Sequence, residues 1–579
     1  MARTISLFMW GYQPHFCLFM ECRAREVLQL IAPALQPKAL LVGIRTPEKR
    51  DGHPVCVEPE DDEWDPATFF GCADRAEEIY STHSDHSILY GDEPRMRDKP
   101  ENIRRKSVRQ AVEEAIAPYD SSHGAVSFCG VATRVAGYHV VPILQFDGRE
   151  LFEYPRLPTP VQFEGFVAPA GLIESAILCL LDEASGALSA RDPGRFIDTF
   201  HTDPNVVLRN AGDSFCAAIP LVSGDLRLTG LFDVLNVISS LHYEGTGAIG
   251  ELLFAPMGAD GVNFRVRLTT PVSLRDHKLA RKMIEMTGRD LSCVCQGGQG
   301  IIGLAVLENV LADRVFRVGF SGHYKWNLYY KNEILMHTAF GVPRLPILPL
   351  KDAAFHLNVR RLFHGIEREA EEQLWSIARA AMEQTRGTMI VVSARAEEEA
   401  KRLKKQSLAI EPVGLTPELV RGLSKIDGAL LVDTKGGCHA VGVILDGMAT
   451  EDGDPSRGAR YNSAVRYIAT ASSPTLCLVV SEDGYVNMLP TLRPQVRKSE
   501  IEKRVAELET ENIESYHKTR TWLEEHRFYL TAEQCDVVNR ELARINSAPF
   551  EMGEIRLPLS PFVPRSAMND SYYLPEAEP

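Results

Sequence analysis

Between residues 426 and 490 the chain sets two short apolar runs around a long insertion punctuated by glycine, and few folds accommodate that arrangement. The first run opens on Asp427-Gly428-Ala429 and continues through Leu430-Leu431-Val432; the second, 476–480, ends on Ser481-Glu482-Asp483-Gly484. Apolar runs of this length, bounded by turn residues, read as buried strands. Gly428 and Ala429 at the strand entry let a flat ligand come close to the backbone. The intervening loop, 446–463, carries Asp452, Gly453, Asp454, Pro455, Arg457, Gly458 and Arg460, and a helix is expected from near Ser463. A helix start with an arginine beside it suits a phosphate. Ser481-Glu482 sets a carboxylate at a strand terminus, where clefts of α/β sheets lie, so Asp427 and Glu482 are a candidate pair for a divalent metal. On spacing alone a second reading stands beside this one, in which each charge only solvates a strand end.

A chain of 579 residues exceeds what one hydrophobic core holds, so several domains are expected. The content of 45% hydrophobic and 24% charged residues is that of a globular protein. The N-terminal stretch MARTISLFMWGYQPHF has one arginine and an apolar patch broken by Gly11, Gln13 and Pro14, which is not the organisation of a secretory signal. With no run long enough to cross a bilayer, a cytoplasmic protein is expected, without a membrane partner. The 12 cysteines include no CxxC pair, only Cys293-x-Cys295 on an expected strand, and read as reduced small hydrophobes. A net charge of -15 argues against nucleic acid as a partner.

Residues 1–160 alternate helical and strand patterns: helical spacing at Val27, Leu30 and Ile31, a buried strand at 39–44, an amphipathic helix at 102–117 and two β-rich runs over 125–146. Within them Arg95, Arg97, Lys99, Arg104, Arg105, Lys106 and Arg109 form a dense basic cluster, which reads either as an anion site or as a solvated helix face with i, i+4 ion pairs. His83-x-x-His86 has the spacing of a metal-ligand pair, or of a turn. Residues 161–225 read as a connecting α/β segment with an apolar helix at 173–181 and a strand at 214–222.

Two later regions follow one order of signals. Residues 226–350 run from a helix at Leu231 through an apolar strand at 245–254, a helix at 273–286 and a strand, glycine turn and strand over 290–307. Residues 355–495 repeat that order up to 427–445, which leaves two readings side by side: a tandem duplication whose first copy is degenerate, or two unrelated α/β units with common turn grammar. The first copy has Asp290-Leu291-Ser292 where the second has Asp427-Gly428-Ala429, and it has no Gly-x-Arg loop. A charged helical hairpin is expected over 496–547, with a capping box at Leu530-Thr-Ala-Glu-Gln, and a Pro-rich loose tail over 548–579. The fold class is therefore mixed α+β and multidomain.

Four motifs in order resemble the diadenylate cyclase domain of the DisA N-terminal type: Gly387-Thr-Met-Ile-Val, Asp427-Gly428-Ala429, Gly458-Ala459-Arg460-Tyr461-Asn462-Ser463-Ala464 and Ser481-Glu482. The third looks still more like the divergent DACNV relatives, proposed sensor domains of bacterial signalling and conflict systems. On the duplication reading, 226–350 is a degenerate cyclase-like repeat. In active members two domains face one another, each with ATP, and each 3'-hydroxyl attacks the other's α-phosphate. The resemblance implies a nucleotide site made by Asp427, Gly428, Ala429, Gly458, Arg460, Tyr461, Asn462, Ser463, Ser481 and Glu482. Asp427 would be the catalytic residue of an active enzyme, with Mg or Mn held by Asp427 and Glu482. Ala459, Tyr461 and Asn462 depart from the Thr, His and Arg of the active pattern. Phosphoryl transfer depends on cations meeting the growing charge, and one phosphate-directed arginine is worth roughly a thousandfold or more. The expectation is a nucleotide or cyclic-dinucleotide sensor, as homodimer or higher oligomer. The alternatives are an active cyclase and an interaction protein with a vestigial pocket.

Overall fold

The structure, a computed structural model, describes residues 9–59, 66–89, 91–163, 166–196, 200–222, 229–245, 247–256, 258–288, 291–346, 350–384, 387–448, 458–481, 486–512, 515–547, 560–565 and 568–574. The chain divides into two compact units, Met1–Pro346 and Ile347–Pro579, and its architecture is mixed α+β with several sheets. Among the described residues no helix is long and apolar enough to cross a membrane.

The first unit opens with α1 (Gln13–Gln29), β1 (Lys38–Arg45), β2 (Val55–Glu58), α2 (Cys72–Thr82), α3 (Glu93–His123), β3 (Ala125–Cys129), β4 (Thr133–Val135) and β5 (Tyr138–Asp147). The strands form an antiparallel sheet in the order β2-β1-β5-β3, with β4 also on β5. Both faces are covered, which is why β1 and β5 read as near-continuous apolar runs. Leu40, Val42 and Ile44 pack with Val108 and Val112 of α3, while Ala39 and Leu41 face the cluster that contains Phe16, Met20 and Val27 of α1. Beyond α4 (Gly148–Phe152) and the hairpin of β6 (Gln162–Phe163) and β7 (Phe166–Val167) come α5 (Leu172–Ala187), α6 (Pro204–Cys216) and α7 (Ala218–Val222). Here the expected strand at 214–222 is instead helical. Phe215, Cys216, Ile219 and Leu221 are all buried in the α1–α5 core, and an apolar run enclosed in this way has no periodicity that separates strand from helix.

The basic cluster lies along α3 and is paired throughout. Arg104 pairs with Glu77 and stacks over Tyr80, Lys106 pairs with Asp85 at 2.7 Å, Arg109 with Glu113 at 2.7 Å, and Lys99 donates to the carbonyls of His86 and Ile88. His83 Nδ1 accepts from the backbone of Asp85, and His86 Nε2 meets the Tyr80 carbonyl at 2.7 Å, so both rings serve the turn.

The unit continues through α8 (Leu231–Ser240), β8 (Ile249–Phe254), β9 (Val262–Val272), α9 (His277–Ile284), β10 (Ser292–Gln296), β11 (Gly300–Leu307), β12 (Phe316–Gly322), β13 (Lys325–Tyr330), β14 (Glu333–Ala339) and β15 (Val342–Arg344). These strands make one eight-stranded sheet, β15-β14-β13-β12-β8-β10-β11-β9. One face packs on α8 and α9 through Leu252, Phe254, Cys293, Cys295, Phe316 and Trp326; the indole of Trp326 donates to Asn236 at 2.9 Å.

The second unit runs α10 (Asp352–Leu362), α11 (Arg368–Met382), β16 (Thr388–Ser393), α12 (Ala396–Arg402), β17 (Leu408–Gly414), α13 (Pro417–Leu423), β18 (Ala429–Val432), β19 (Gly437–Val443), α14 (Ala459–Thr470), β20 (Thr475–Val480) and β21 (Val486–Leu489). Its sheet has the order β17-β19-β18-β16-β20-β21. Strand for strand this is β9-β11-β10-β8-β12-β13, with one parallel pair in each, β8–β10 and β16–β18, and antiparallel pairing elsewhere. The duplicated order of signals thus recurs as a duplicated topology. The copies differ in their connections. Residues 255–261 join β8 to β9 where the second copy inserts α12, and 308–315 join β11 to β12 where it inserts α14.

The expected helical hairpin is three helices, α15 (Lys498–Thr510), α16 (His517–Glu525) and α17 (Ala532–Asn546), because sparse apolar positions on each, such as Leu508, Leu523 and Val538, meet in one cluster. The expected loose tail is also corrected over residues 560–565 and 568–574. Phe562, Tyr572 and Tyr573 are buried in that cluster, Leu574 donates to the Val496 carbonyl at 2.9 Å, and Arg361 of α10 lies over the Tyr572 ring. The capping box is present: Thr531 Oγ1 accepts from the Gln534 backbone and the Gln534 side chain accepts from the Thr531 backbone. Replacing a capping threonine with alanine costs about 1 kcal/mol, so Thr531→Ala is expected to lower the urea midpoint of the second unit by that equivalent with circular dichroism of the native state unchanged.

Candidate functional site

The carboxyl-proximal repeat holds a cleft of about 820 Å³, lined among others by Met389, Asp427, Gly428, Gly442, Leu445, Gly458, Ala459, Arg460, Tyr461, Ser463, Val480, Ser481 and Asn487. Its floor is made by strands β16 and β20 and its walls by the segment after β19 and the first turn of α14.

Asp427 stands immediately before β18, with its side chain 90% exposed at the cleft. Its Oδ1 accepts from the backbone of Gly428 at 3.0 Å and from Arg460 Nη2 at 2.8 Å. Gly428 has φ +103, and a Cβ there would lie 2.6 Å from the carbonyl carbon of Gly442, itself at φ +61. A side chain at 428 is therefore excluded twice, by backbone conformation and by contact with backbone that cannot swing aside. That close approach shapes the wall that Gly442, Val443, Ile444 and Leu445 present to the cleft.

Helix α14 starts at Ala459 with Gly458 as its N-cap, four residues earlier than expected, so Arg460 and Tyr461 sit in its first turn and not in a preceding loop, and Ser463 begins the second. Ala and Arg are good helix formers, and once Gly458 has capped the helix nothing delays it. The N-cap is a glycine, which has no side chain to cap this end, and the first turn has no acidic residue, so the positive end of the helix dipole and Arg460 face the cleft together. Arg460 is anchored by space as much as by charge. A Cβ on Gly387 would lie 2.5 Å from its Nη1, and its Nε is buried without a hydrogen-bond partner.

Of the residues singled out in the sequence, the structure brings together Asp427, Gly428, Gly458, Arg460, Tyr461, Ser463 and Ser481. Tyr461 lines the cleft with its ring against the apolar cluster of α14, leaving the space open. Two do not reach it. Ala429 is buried in the strand behind, and Asn462 Nδ2 turns back to the Gly458 carbonyl at 3.4 Å. Glu482, Arg457, Asp452, Gly453, Asp454 and Pro455 lie outside the described residues, and with Glu482 the proposed metal pair. Among the described residues no group of three or more His, Cys, Asp or Glu is placed to hold a metal ion. Met389, Asn487 and the Gly442–Leu445 wall escaped the sequence reading.

The cleft's walls are tied by Arg402 of α12. Its guanidinium donates to both oxygens of Asp446, at 2.5 and 2.9 Å, and to Glu399, which also accepts from Tyr467 of α14 at 2.6 Å. The hydrogen bond from Arg402 holds the Asp446 carboxyl below its usual value. Burial pushes Glu399 up, but the bonds from Arg402 and Tyr467 outweigh it and the net direction is down.

The fold and cleft define a multidomain α+β protein that carries a ligand-sized pocket on a duplicated domain. Residues 9–216 match the family model described as "Probable sensor domain DACNG" and residues 229–332 that described as "Probable sensor domain DACNH". The second match spans α8 to β13, the stretch that shares its topology with the cleft-bearing repeat. The DACNV type that the Gly458–Ala464 segment resembles is not among these two. No curated protein matches the chain. Similar solved structures include DacA from Staphylococcus aureus, as a double mutant, at 18% identity over 21% of this chain and 83% of that one, with a TM-score of 0.19. A hypothetical membrane spanning protein from Bacillus cereus is similar at 20% identity over 23% of this chain and 64% of that one, also with a TM-score of 0.19.

A carboxyl held low in the folded chain binds its proton more weakly there than when unfolded. Its stabilisation is therefore full above the ordinary carboxylate range, near pH ~4, and is lost as pH falls through and below it. Melting temperatures measured at about pH 7 and about pH 3.5 are expected to differ less in Arg402→Met than in the native chain, because Asp446 and Glu399 lose the partner that depresses them.

Proposed function

We propose that the cleft of the second unit binds a nucleotide or cyclic dinucleotide without turning it over, and that the chain is a sensor in bacterial signalling or conflict. The observation that carries this reading is the first turn of α14, with Arg460 on it, facing a cleft of about 820 Å³. That volume is within the range of small-molecule sites, and the donors are those that recognise phosphate. The match of residues 9–332, in two parts, to probable sensor domains supports the same assignment.

Turnover asks for more than binding. The resemblance to diadenylate cyclases places His and Arg where this chain has Tyr461 and Asn462, and Asn462 is turned toward its own helix. Arg460 is the cation among the described cleft residues, and its guanidinium is paired with Asp427. Tyr461 offers a ring for a base to stack on and a hydroxyl for a phosphate oxygen. A vestigial pocket would be filled by its own side chains, whereas here Tyr461 leaves it open. If the ligand arrives with Mg²⁺ or Mn²⁺, Asp427 suits a hard cation that takes one or two carboxylates and completes its shell with phosphate oxygens and water.

A thermal-shift panel of ATP and cyclic dinucleotides with Mg²⁺ tests the proposal. A ligand at about a hundred times its Kd is expected to stabilise the native chain by ~2.7 kcal/mol, a shift of several degrees that grows with concentration. Arg460→Ala is expected to weaken binding by about tenfold or more. Gly387→Ala should do the same in smaller measure, since the new methyl displaces the guanidinium and not the backbone. Incubation with ATP and Mn²⁺ is expected to yield no cyclic product by mass spectrometry. Absence of any shift overturns the binding reading. A product that Asp427→Ala abolishes overturns the sensor in favour of an active cyclase.

A further inference from the structure

We infer that the chain takes one ligand and not two, because the first repeat's counterpart of the cleft is closed from within by an ion pair. This rests on reading the second repeat's cleft as a ligand site. The two sheets can be superposed by register. Met389 on the cleft floor pairs with Val479, which pairs with Asn487; Glu251 pairs with Gly319, which pairs with Asn327. Laying Glu251 on Met389 therefore brings Asn327 onto Asn487. The same register carries Ser321 onto Ser481 and Ser292 onto Ala429. Two like residues, the asparagines and the serines, falling together support the alignment.

In that register a carboxylate replaces the methionine of the floor, and it is fully engaged. Glu251 Oε1 accepts from Ser292 Oγ at 2.6 Å, Oε2 accepts from Arg317 Nη1 at 3.1 Å, and its backbone donates to Thr287 at 3.0 Å. Arg317 lies 4.8 Å over the ring of Tyr329 and donates to the Lys331 carbonyl. Both members of the pair are about four-fifths shielded, at 19% and 23% exposure. Asn327, the counterpart of the cleft-facing Asn487, is taken up by Tyr329 at 3.2 Å and by His337 at 2.5 Å, the latter on β14. The phosphate-facing part is missing as well, since residues 308–315 pass from β11 to β12 without the helix whose first turn carries Arg460. A ligand entering here would have to break a shielded ion pair and would meet no helix N-terminus in return.

Equilibrium dialysis of the full chain against labelled ATP and labelled cyclic dinucleotide is expected to saturate at about one ligand per chain, with the affinity of that one site about tenfold or more weaker in Arg460→Ala. Saturation at two per chain, or one site of unchanged affinity in Arg460→Ala, overturns the inference. If the native chain binds neither probe, the proposed function falls, and closure of the first repeat is decided by a measurement that needs no ligand. Glu251→Met and Arg317→Met are each expected to lower the melting temperature by a few degrees, and the double variant to recover most of the loss. Ser292→Ala, a milder change, should shift it less and in the same direction. Single variants that melt with the native chain show that no pair seals the site and overturn the inference.

Discussion

The second repeat can keep a cleft because one guanidinium joins three separate pieces of chain around it. Arg402 reaches from α12 to Asp446, just past the wall residue Leu445, and to Glu399, which holds Tyr467 of α14. Charge-assisted and partly bidentate, these bonds are directional, so they fix where the helix carrying Arg460 lies as well as adding stability. Beneath them the backbone contact of Gly428 with Gly442 sets how closely strand and wall approach. The cleft's shape follows from those two constraints, and its charge from Arg460 and the N-terminal end of α14.

The first repeat shows what the same topology does without them. Six strands run in the same order with the same parallel pair, but the connections that carry α12 and α14 are short, and no counterpart of Arg402 or Arg460 has a helix to sit on. An uncovered polar floor would be costly, and the sheet satisfies it internally with Glu251, Arg317, Ser292 and Tyr329. Its other face keeps the hydrophobic packing on α8 and α9. Fold and site are thus separable here: the strands specify the sheet, and the insertions between them specify whether it holds anything.

That separation also explains what was legible in the sequence. Strands such as 429–432 and 475–480 announce themselves by unbroken apolar runs, and the duplication by the order of such runs, because burial on both faces leaves a strong compositional signal. Asp427, Arg460 and Ser481 were legible because they sit at element ends, the first two at or near a glycine. The wall from Gly442 to Leu445 was not, since an apolar residue lining a cleft looks like one lining a core. Helices α6 and α7 were misread as a strand for the same reason, enclosure without periodicity. Nor could spacing show that Asn462 bonds back to its own helix, which depends on α14 beginning at Ala459 rather than later.

The placement of Asn462 matters most for the choice between holding a nucleotide and converting it. Interactions that raise a rate must be stronger in the transition state than in the ground state, and for phosphoryl transfer these are cations aimed at the oxygens where charge grows. Tyr461 and the N-terminal turn of α14 serve a bound ground state equally well, since stacking and a helix dipole do not depend on that growth. Among the described cleft residues Arg460 is the cation that could favour the transition state, and it spends a hydrogen bond on Asp427, the carboxylate that an active enzyme would need for metal and hydroxyl. Any ligand that draws Arg460 to a phosphate releases Asp427 from that bond. Asp427 thus competes with phosphate for Arg460, and Arg460 with metal for Asp427, each partner's charge being met by the other at 2.8 Å.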